Sequence, residues 1–201
     1  MIIDPKYKIH LAAAKSDVSR PTLESVYVHR RATTGEPVAA ATDGRILAIV
    51  PVEPSLVPET GDELPEIPAV GEPGILVPPD AIKHAGKKGN LGRLAVQTVN
   101  TPGHVSTIDG HGWALPAVDP ERPFPEYENV VPQTDRPVKF RVSFDARLLS
   151  KLADAIGADK GAVTLEFGVG EFDAIRVLPI DKDGKRVADG EGVLMPMIVK
   201  E

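Results

Sequence analysis

The sequence predicts an α+β fold: repeated strand-helix-three-strand units with helices packed on antiparallel sheets. Three observations carry this. Twenty prolines and eighteen glycines with 4% aromatic residues point to many short strands and turns rather than a helical bundle. Helix-start signals recur at Asp4-Pro5, at Pro79-Asp80 and at Ser143 or Asp145. The residues also echo one another. Leu76-Val77-Pro78-Pro79-Asp80-Ala81, ahead of a helix and Lys88-Gly89, matches Arg141-Val142-Ser143-Phe144-Asp145-Ala146, ahead of a helix and Lys160-Gly161. A unit with one amphipathic helix on one sheet cannot bury both sides, so units must pair.

In the first unit, Asp4 as N-cap and Pro5 at the first helical position predict a helix from Lys6 to Ser16, with Tyr7, Leu11 and Ala14 on one face. Arg20-Pro21 ends it. Strands Leu23 to His29, Pro37 to Ala41 and Ile46 to Val50 follow as a meander. Asp43-Gly44 between the last two tolerates positive φ and predicts a tight two-residue hairpin. The return strand is almost wholly apolar and is expected to be covered on both faces. Residues 51–74 hold six prolines among acidic residues and read as an extended connector.

The pattern then restarts. Gly74 to Val77 is a strand and Ala81 to Ala85 a short helix ended by Gly86 or Gly89. Strands Leu94 to Val99, His104 to Ile108 and Gly112 to Ala117 complete the second unit. In the third, strand Val138 to Val142 precedes a helix Ala146 to Ile156. Leu148, Leu149, Leu152 and Ile156 form its apolar stripe, and Gly157 ends it. Strands Ala162 to Phe167, Phe172 to Pro179 and Gly192 to Val199 close the chain.

Composition bounds the function. The 201 residues are 42% hydrophobic and 26% charged, as in a globular soluble protein. No apolar run approaches the roughly 20 residues that span a bilayer. Met1-Ile2-Ile3-Asp4-Pro5 lacks the basic start and apolar core of a signal peptide. There is no cysteine, hence no disulfide or thiolate metal site. A cytoplasmic protein without membrane association is expected. The net charge of -6 argues against a whole-surface grip on nucleic acid but leaves room for a local basic face. Phosphate-loop, serine-elbow and zinc-protease motifs are absent from the sequence, and no catalytic residue is assigned.

Two polar hairpins carry residues that could hold an ion. His104, Asp109 and His111 bring imidazole and carboxylate to one hairpin, but their spacing matches no metal motif and the residues on neighbouring strands can point apart. Asp181-Lys182-Asp183-Gly184 hints at a calcium loop, but Arg186 stands where the loop needs glycine. Both read as polar hairpins, and no metal or cofactor is expected.

Thr42-Asp43-Gly44-Arg45, then Phe124-Pro125-Glu126-Tyr127 with Val131-Pro132, then Leu194-Met195-Pro196-Met197 follow one another in the order found in bacterial replicative sliding clamps. The chain therefore resembles the beta subunit of DNA polymerase III. The resemblance implies the DNA-clamp fold, with 1–133 as one complete domain and 134–201 as the closing half of another. It also implies a homo-oligomer, in which two chains pair their C-terminal halves.

Two sites follow from the resemblance. One is a groove for a short linear motif of a DNA polymerase or repair protein. Matching positions are Leu23, Thr42, Gly44, Arg45 and Leu47 early in the chain, and Pro132, Val193, Met195, Pro196 and Met197 late in it. Methionines make an adaptable apolar wall and a turn glycine lets a ligand backbone approach. The chain departs from the family at Arg45-Ile46 and at Ile198. The other site is a set of cations on the helices that would face duplex DNA: Lys6, Lys8, Lys15 and Arg20 on the first, Lys83, Lys87 and Lys88 on the second, Arg147 and Lys151 on the third. Such residues grip phosphates without reading sequence. The expected function is a processivity factor for replication or repair. The competing readings are a clamp-derived protein-binding module that does not encircle DNA, and a metal-dependent enzyme at the His104/Asp109/His111 hairpin.

Overall fold

The computed structural model describes residues 1–15, 20–54, 67–97, 103–131, 141–158, 161–170, 173–181, 183–186 and 190–197. The chain divides into two compact units, Met1–Val131 and Pro132–Glu201.

The first unit holds two antiparallel sheets. Strands β1 (Val26–Arg30), β2 (Pro37–Thr42), β3 (Leu47–Pro51) and β4 (Ile75–Val77) form one, in the order β3-β2-β1-β4. Strands β5 (Ala95–Gln97), β6 (His104–Ser106) and β7 (Gly112–Ala114) form the other. Helix α1 (Pro79–Ala85) has Pro at the start, where the missing N–H costs nothing, and buries Ala81, Ile82 and Ala85.

The two halves of this unit exchange strands. β4 opens the second half in sequence, yet it pairs with β1 of the first half, Val26 opposite Val77 and Val28 opposite Ile75. In return Ile2, from the first half, bridges to Arg93 and to Glu53. The Ile3 amide donates to the Gly92 carbonyl (3.0 Å), and the Leu94 amide to the Met1 carbonyl (2.9 Å). Gly92 is required here: its φ is +72°, and a Cβ on it would collide with the Ile3 carbonyl. Each half thus completes the other's backbone hydrogen bonding.

Strand alternation gives the first sheet two apolar faces. Val26, Val28, Ala39, Ala41 and Val77 share a core with Ile82 and Ala85 of α1. On the other face Leu23, Ala40 and Leu76 are covered by Phe124 and Tyr127. Tyr27 stacks on Phe124 at 4.8 Å between centroids, and His29 Nε2 lies 2.7 Å from the Tyr127 hydroxyl. The Phe124-Pro125-Glu126-Tyr127 stretch is therefore a lid on the sheet.

Several elements differ from the sequence reading. The expected helix from Lys6 to Ser16 is a single 3-10 turn, Ile9–Ala12, and residues 16–19 lie outside the described set. The Asp4 carboxylate accepts from the Lys6 amide, making a local turn out of the helix-start signal. Ala13 is extended, and the Ala14 amide turns back to the Leu23 carbonyl. The buried side is Ile9 and Ala12, while Leu11 is 69% exposed. Leu23 sits in a 3-10 turn, Pro21–Glu24, before β1 begins. Thr42 pairs with Leu47, so the Asp43-Gly44 hairpin has a four-residue loop, and only Gly44 in it has positive φ. β3 is less covered than expected: Val50 alone is buried and Ile46 is 55% exposed. Part of the acidic connector, 55–66, is outside the described residues.

The second unit carries helix α2 (Ala146–Ala155) and strands β8 (Val163–Glu166), β9 (Ile175–Pro179) and β10 (Gly192–Leu194), in the sheet order β10-β9-β8. Asp145 caps α2 by accepting from the Arg147 amide. Ile175, Val177 and Leu194 form the buried core, with Phe144, Leu149, Leu152 and Ile156 packed on it. Ala153 is the one fully buried residue of α2, and Leu148, expected in the apolar stripe, is 53% exposed. Of the expected strand Val138 to Val142, residues 138–140 are outside the described set, and Arg141 and Val142 are not in a strand.

Candidate protein- and DNA-contacting surfaces

The groove residues of the first unit gather at the β2–β3 turn. The Thr42 hydroxyl donates to the Ile46 carbonyl (2.6 Å) and accepts from the Gly44 amide. Asp43 Oδ1 accepts from the Arg45 and Ile46 amides. Those backbone bonds hold the Asp43 carboxyl below its usual range. This locked turn leaves Arg45 and Ile46 projecting into solvent. Leu47 packs against the cluster of Leu23, Leu76, Phe124 and Tyr127. Leu23 itself is 1% exposed and belongs to the core.

In the second unit, β10 is an edge strand. Leu194 points into the core, while Val193, Met195 and Met197 are 58%, 64% and 54% exposed. They recur every second residue and so line one side of the segment. The Met197 amide donates to the Ser143 carbonyl (2.7 Å), anchoring the segment beyond β10. Pro196, half-buried, needs no ladder donor at this edge. Pro132 is outside the described residues.

The cations sort differently from the helical-face reading. Lys8, His10, Lys83 and Lys87 converge on one cavity of about 360 Å³ between the 3-10 turn and α1, floored by Ile3, Ile82 and Leu94. Lys87 and Lys88 follow α1 rather than belonging to it, yet the turn from the His84 carbonyl to the Lys87 amide returns Lys87 to the cavity beside Lys83. Burial, with the Lys83 and Lys8 charges next, pushes the His10 imidazole below its ordinary value, against a smaller upward pull from Asp80. Lys6 instead pairs with Asp4 at 2.9 Å and lies over the Tyr7 ring. Lys15 and Lys88 are exposed but do not line this cavity, and Arg20 is also exposed. In the second unit Arg147 pairs with Asp145 (2.7 Å), whose carboxyl that contact draws down to about 2, and Lys151 is exposed.

The histidine hairpin also regroups. Trp113 pairs with Val105 across β6–β7, and its ring meets those of His84 and His111. His104 pairs with Ala114, one position off, so it points to the opposite face, over Gly112. His84 of α1 takes the place expected for His104. Its Nε2 lies 2.7 Å from Asp109 Oδ2, and His111 Nδ1 is 3.4 Å from Asp109 Oδ1. No linear spacing announces His84, which stands 25 residues before Asp109. Hydrogen bonds from Thr107, then His84 and Asn90, hold the Asp109 carboxyl far below the usual carboxylate range. The calcium-like loop is a local turn, with Asp181 Oδ1 accepting from the Asp183 and Lys185 amides.

Among the described residues, no helix is long and apolar enough to cross a membrane. No family model and no curated protein matches the sequence. Solved structures do match. The β sliding clamp of Caulobacter crescentus superposes with a TM-score of 0.58 at 22% identity, over 98% of this chain and 50% of that one. The DNA polymerase sliding clamps of Pseudomonas aeruginosa and Bacillus subtilis give 0.60 and 0.56, each at 16% identity, over 98% and 94% of this chain and 50% and 47% of theirs. The chain has the α+β DNA-clamp fold of bacterial DNA polymerase III β subunits and spans about half the length of each.

Proposed function

We propose that this chain is clamp-like, lies along or encircles duplex DNA and tethers a polymerase or repair protein. The observation that carries the DNA contact is the convergence of Lys8, Lys83 and Lys87 on one concave face, within a protein of net charge -6. A local positive face of that kind holds phosphates without sequence preference. The tether is supported by the exposed Val193 of edge strand β10 and the exposed Met195 and Met197 in the segment just after it. A bound partner would gain effective concentration at the DNA, with no chemistry supplied by the clamp.

The test is fluorescence anisotropy of a labelled duplex and, separately, of a short Leu/Phe-containing clamp-binding peptide. Salt-sensitive duplex binding together with peptide binding supports the reading. A second reading, a peptide-binding module that does not encircle DNA, is favoured by the pairing of Arg147 with Asp145, which ties up one cation of α2. Peptide binding without duplex binding selects it. We also place a second copy of the chain against the second unit, where Leu148 is half exposed. A native mass of twice the chain tests that pairing.

A further inference from the structure

His84, Asp109 and His111 come from two separate elements, α1 and the β6–β7 turn, and their ligand atoms all lie within 4.8 Å of one another. We propose that they form a binding site for a divalent transition-metal ion of the zinc class. Two imidazoles and a carboxylate are a donor set that such ions take, with a water in the remaining position. Bonds of about 2.0–2.1 Å in a tetrahedral site place ligand atoms roughly 3.3 Å apart. The Asp109–His111 separation of 3.4 Å already fits. The His84–Asp109 separation of 2.7 Å is a hydrogen bond whose proton the ion replaces, with the two groups moving slightly apart.

The site has an outer support. The Thr107 hydroxyl donates to Asp109 Oδ1 (2.6 Å), and Asn90 Nδ2 donates to Oδ2 (3.2 Å). Asn90 is 2% exposed, also donates to the His84 carbonyl, and accepts from the Asp109 amide. One buried amide therefore fixes both arms, the arrangement by which outer groups orient metal ligands. Lys87 opposes the ion, because its ammonium donates to His84 Nδ1 at 3.1 Å. An ion on Nε2 sends the ring proton to Nδ1, where it would face Lys87. The exposed Lys87 then turns out to solvent. The ion staples the β6–β7 turn to α1.

Trp113 is the chain's single tryptophan, with ring centroids 5.4 Å from His84 and 6.4 Å from His111. It reports the site directly. Full-length protein without a polyhistidine tag, stripped with chelator, is titrated with Ni²⁺ and Cu²⁺ while its fluorescence is followed, and Zn²⁺ is added as competitor. The expected result is quenching that saturates at one equivalent and, for Ni²⁺, is reversed by excess Zn²⁺. His111→Ala, at an exposed position, weakens binding at least roughly tenfold, the loss that even an outer partner causes. His104→Ala, on the opposite face, binds as the parent does, and Lys87→Ala binds as well or more tightly. Non-saturating quenching, full binding by His111→Ala, or loss of binding in His104→Ala overturns the assignment. A Zn²⁺-induced rise in melting temperature in the parent, absent in His111→Ala, gives a second readout, and its absence in the parent counts against the site.

Discussion

Replacing Lys8, Lys83 and Lys87 together by alanine removes the three lysines that line the cavity between the 3-10 turn and α1. If each neutralises one phosphate, each contributes about 0.9 to the slope of log K against log salt. The triple variant should therefore lower that slope by about 2.7. Between 50 and 200 mM salt, these three contacts should account for roughly a 40-fold change in affinity. The assay is duplex anisotropy at four or five salt concentrations, with circular dichroism to show that the fold is kept. Lys6→Ala is the control, because Lys6 is held by Asp4 and does not line the cavity. An unchanged slope in the triple variant, or an equal fall in Lys6→Ala, refutes the assignment of this face to DNA.

Gly92→Ala should destabilise the first unit by about 2 kcal/mol or more in urea unfolding, since it forces a side chain into the left-handed region and onto the Ile3 carbonyl. Burial lowers the His29 imidazole from its ordinary 6.5, outweighing upward pulls from the Arg30 carbonyl and Glu128. The unfolded chain therefore binds the proton more readily. Stability should be full above about pH 6.5 and fall as pH drops from there towards the folded value. His29→Gln should flatten that part of a urea-midpoint profile. Tyr127, raised to about 12 mainly by burial, has the reverse sign: its contribution holds below about pH 10 and is lost between 10 and 12. Met195→Glu with Met197→Glu should abolish peptide anisotropy without lowering the melting temperature, because both side chains are more than half exposed.

The local signals in the sequence were legible. β2 and β3 begin and end within a residue of the expected limits, and α2 within one residue of its expected end. These elements follow from alternation, turn residues and caps, all of which act over a few positions. Among the described residues the first helix is absent because Asp4-Pro5 serves equally as a helix start and as an Asx turn. The competing hydrogen bond from Lys6 won. The exchange of β4 and Ile2 between halves joins segments about 50 to 90 residues apart in the chain, and no local period encodes such pairing. The same holds for His29 with Tyr127, 98 residues apart, and for His84 with Asp109. Exposure was equally invisible. Leu23 and Met195 are both apolar groove candidates, yet one is sealed in the core and the other faces water.

The exchanged strands are the reason the second unit is proposed as the place for a second copy. In the first unit β1 has β2 on one side and β4, from the other half, on its second side. β8 holds the same place after α2 that β1 holds after the first helical turn, but among the described residues it pairs with β9 alone. Among the described residues its second edge carries no strand, and in the same unit α2 leaves Leu148 half exposed. An open edge and an apolar helix face are what another half-unit covers in the first unit, and an identical half-unit can do so reciprocally. Burying what remains of Leu148 adds about 1 kcal/mol per copy. A charge there must be desolvated instead, so Leu148→Glu should convert a doubled native mass into that of one chain while circular dichroism stays unchanged. A parent protein that remains a single chain at high concentration would show that the edge is left open.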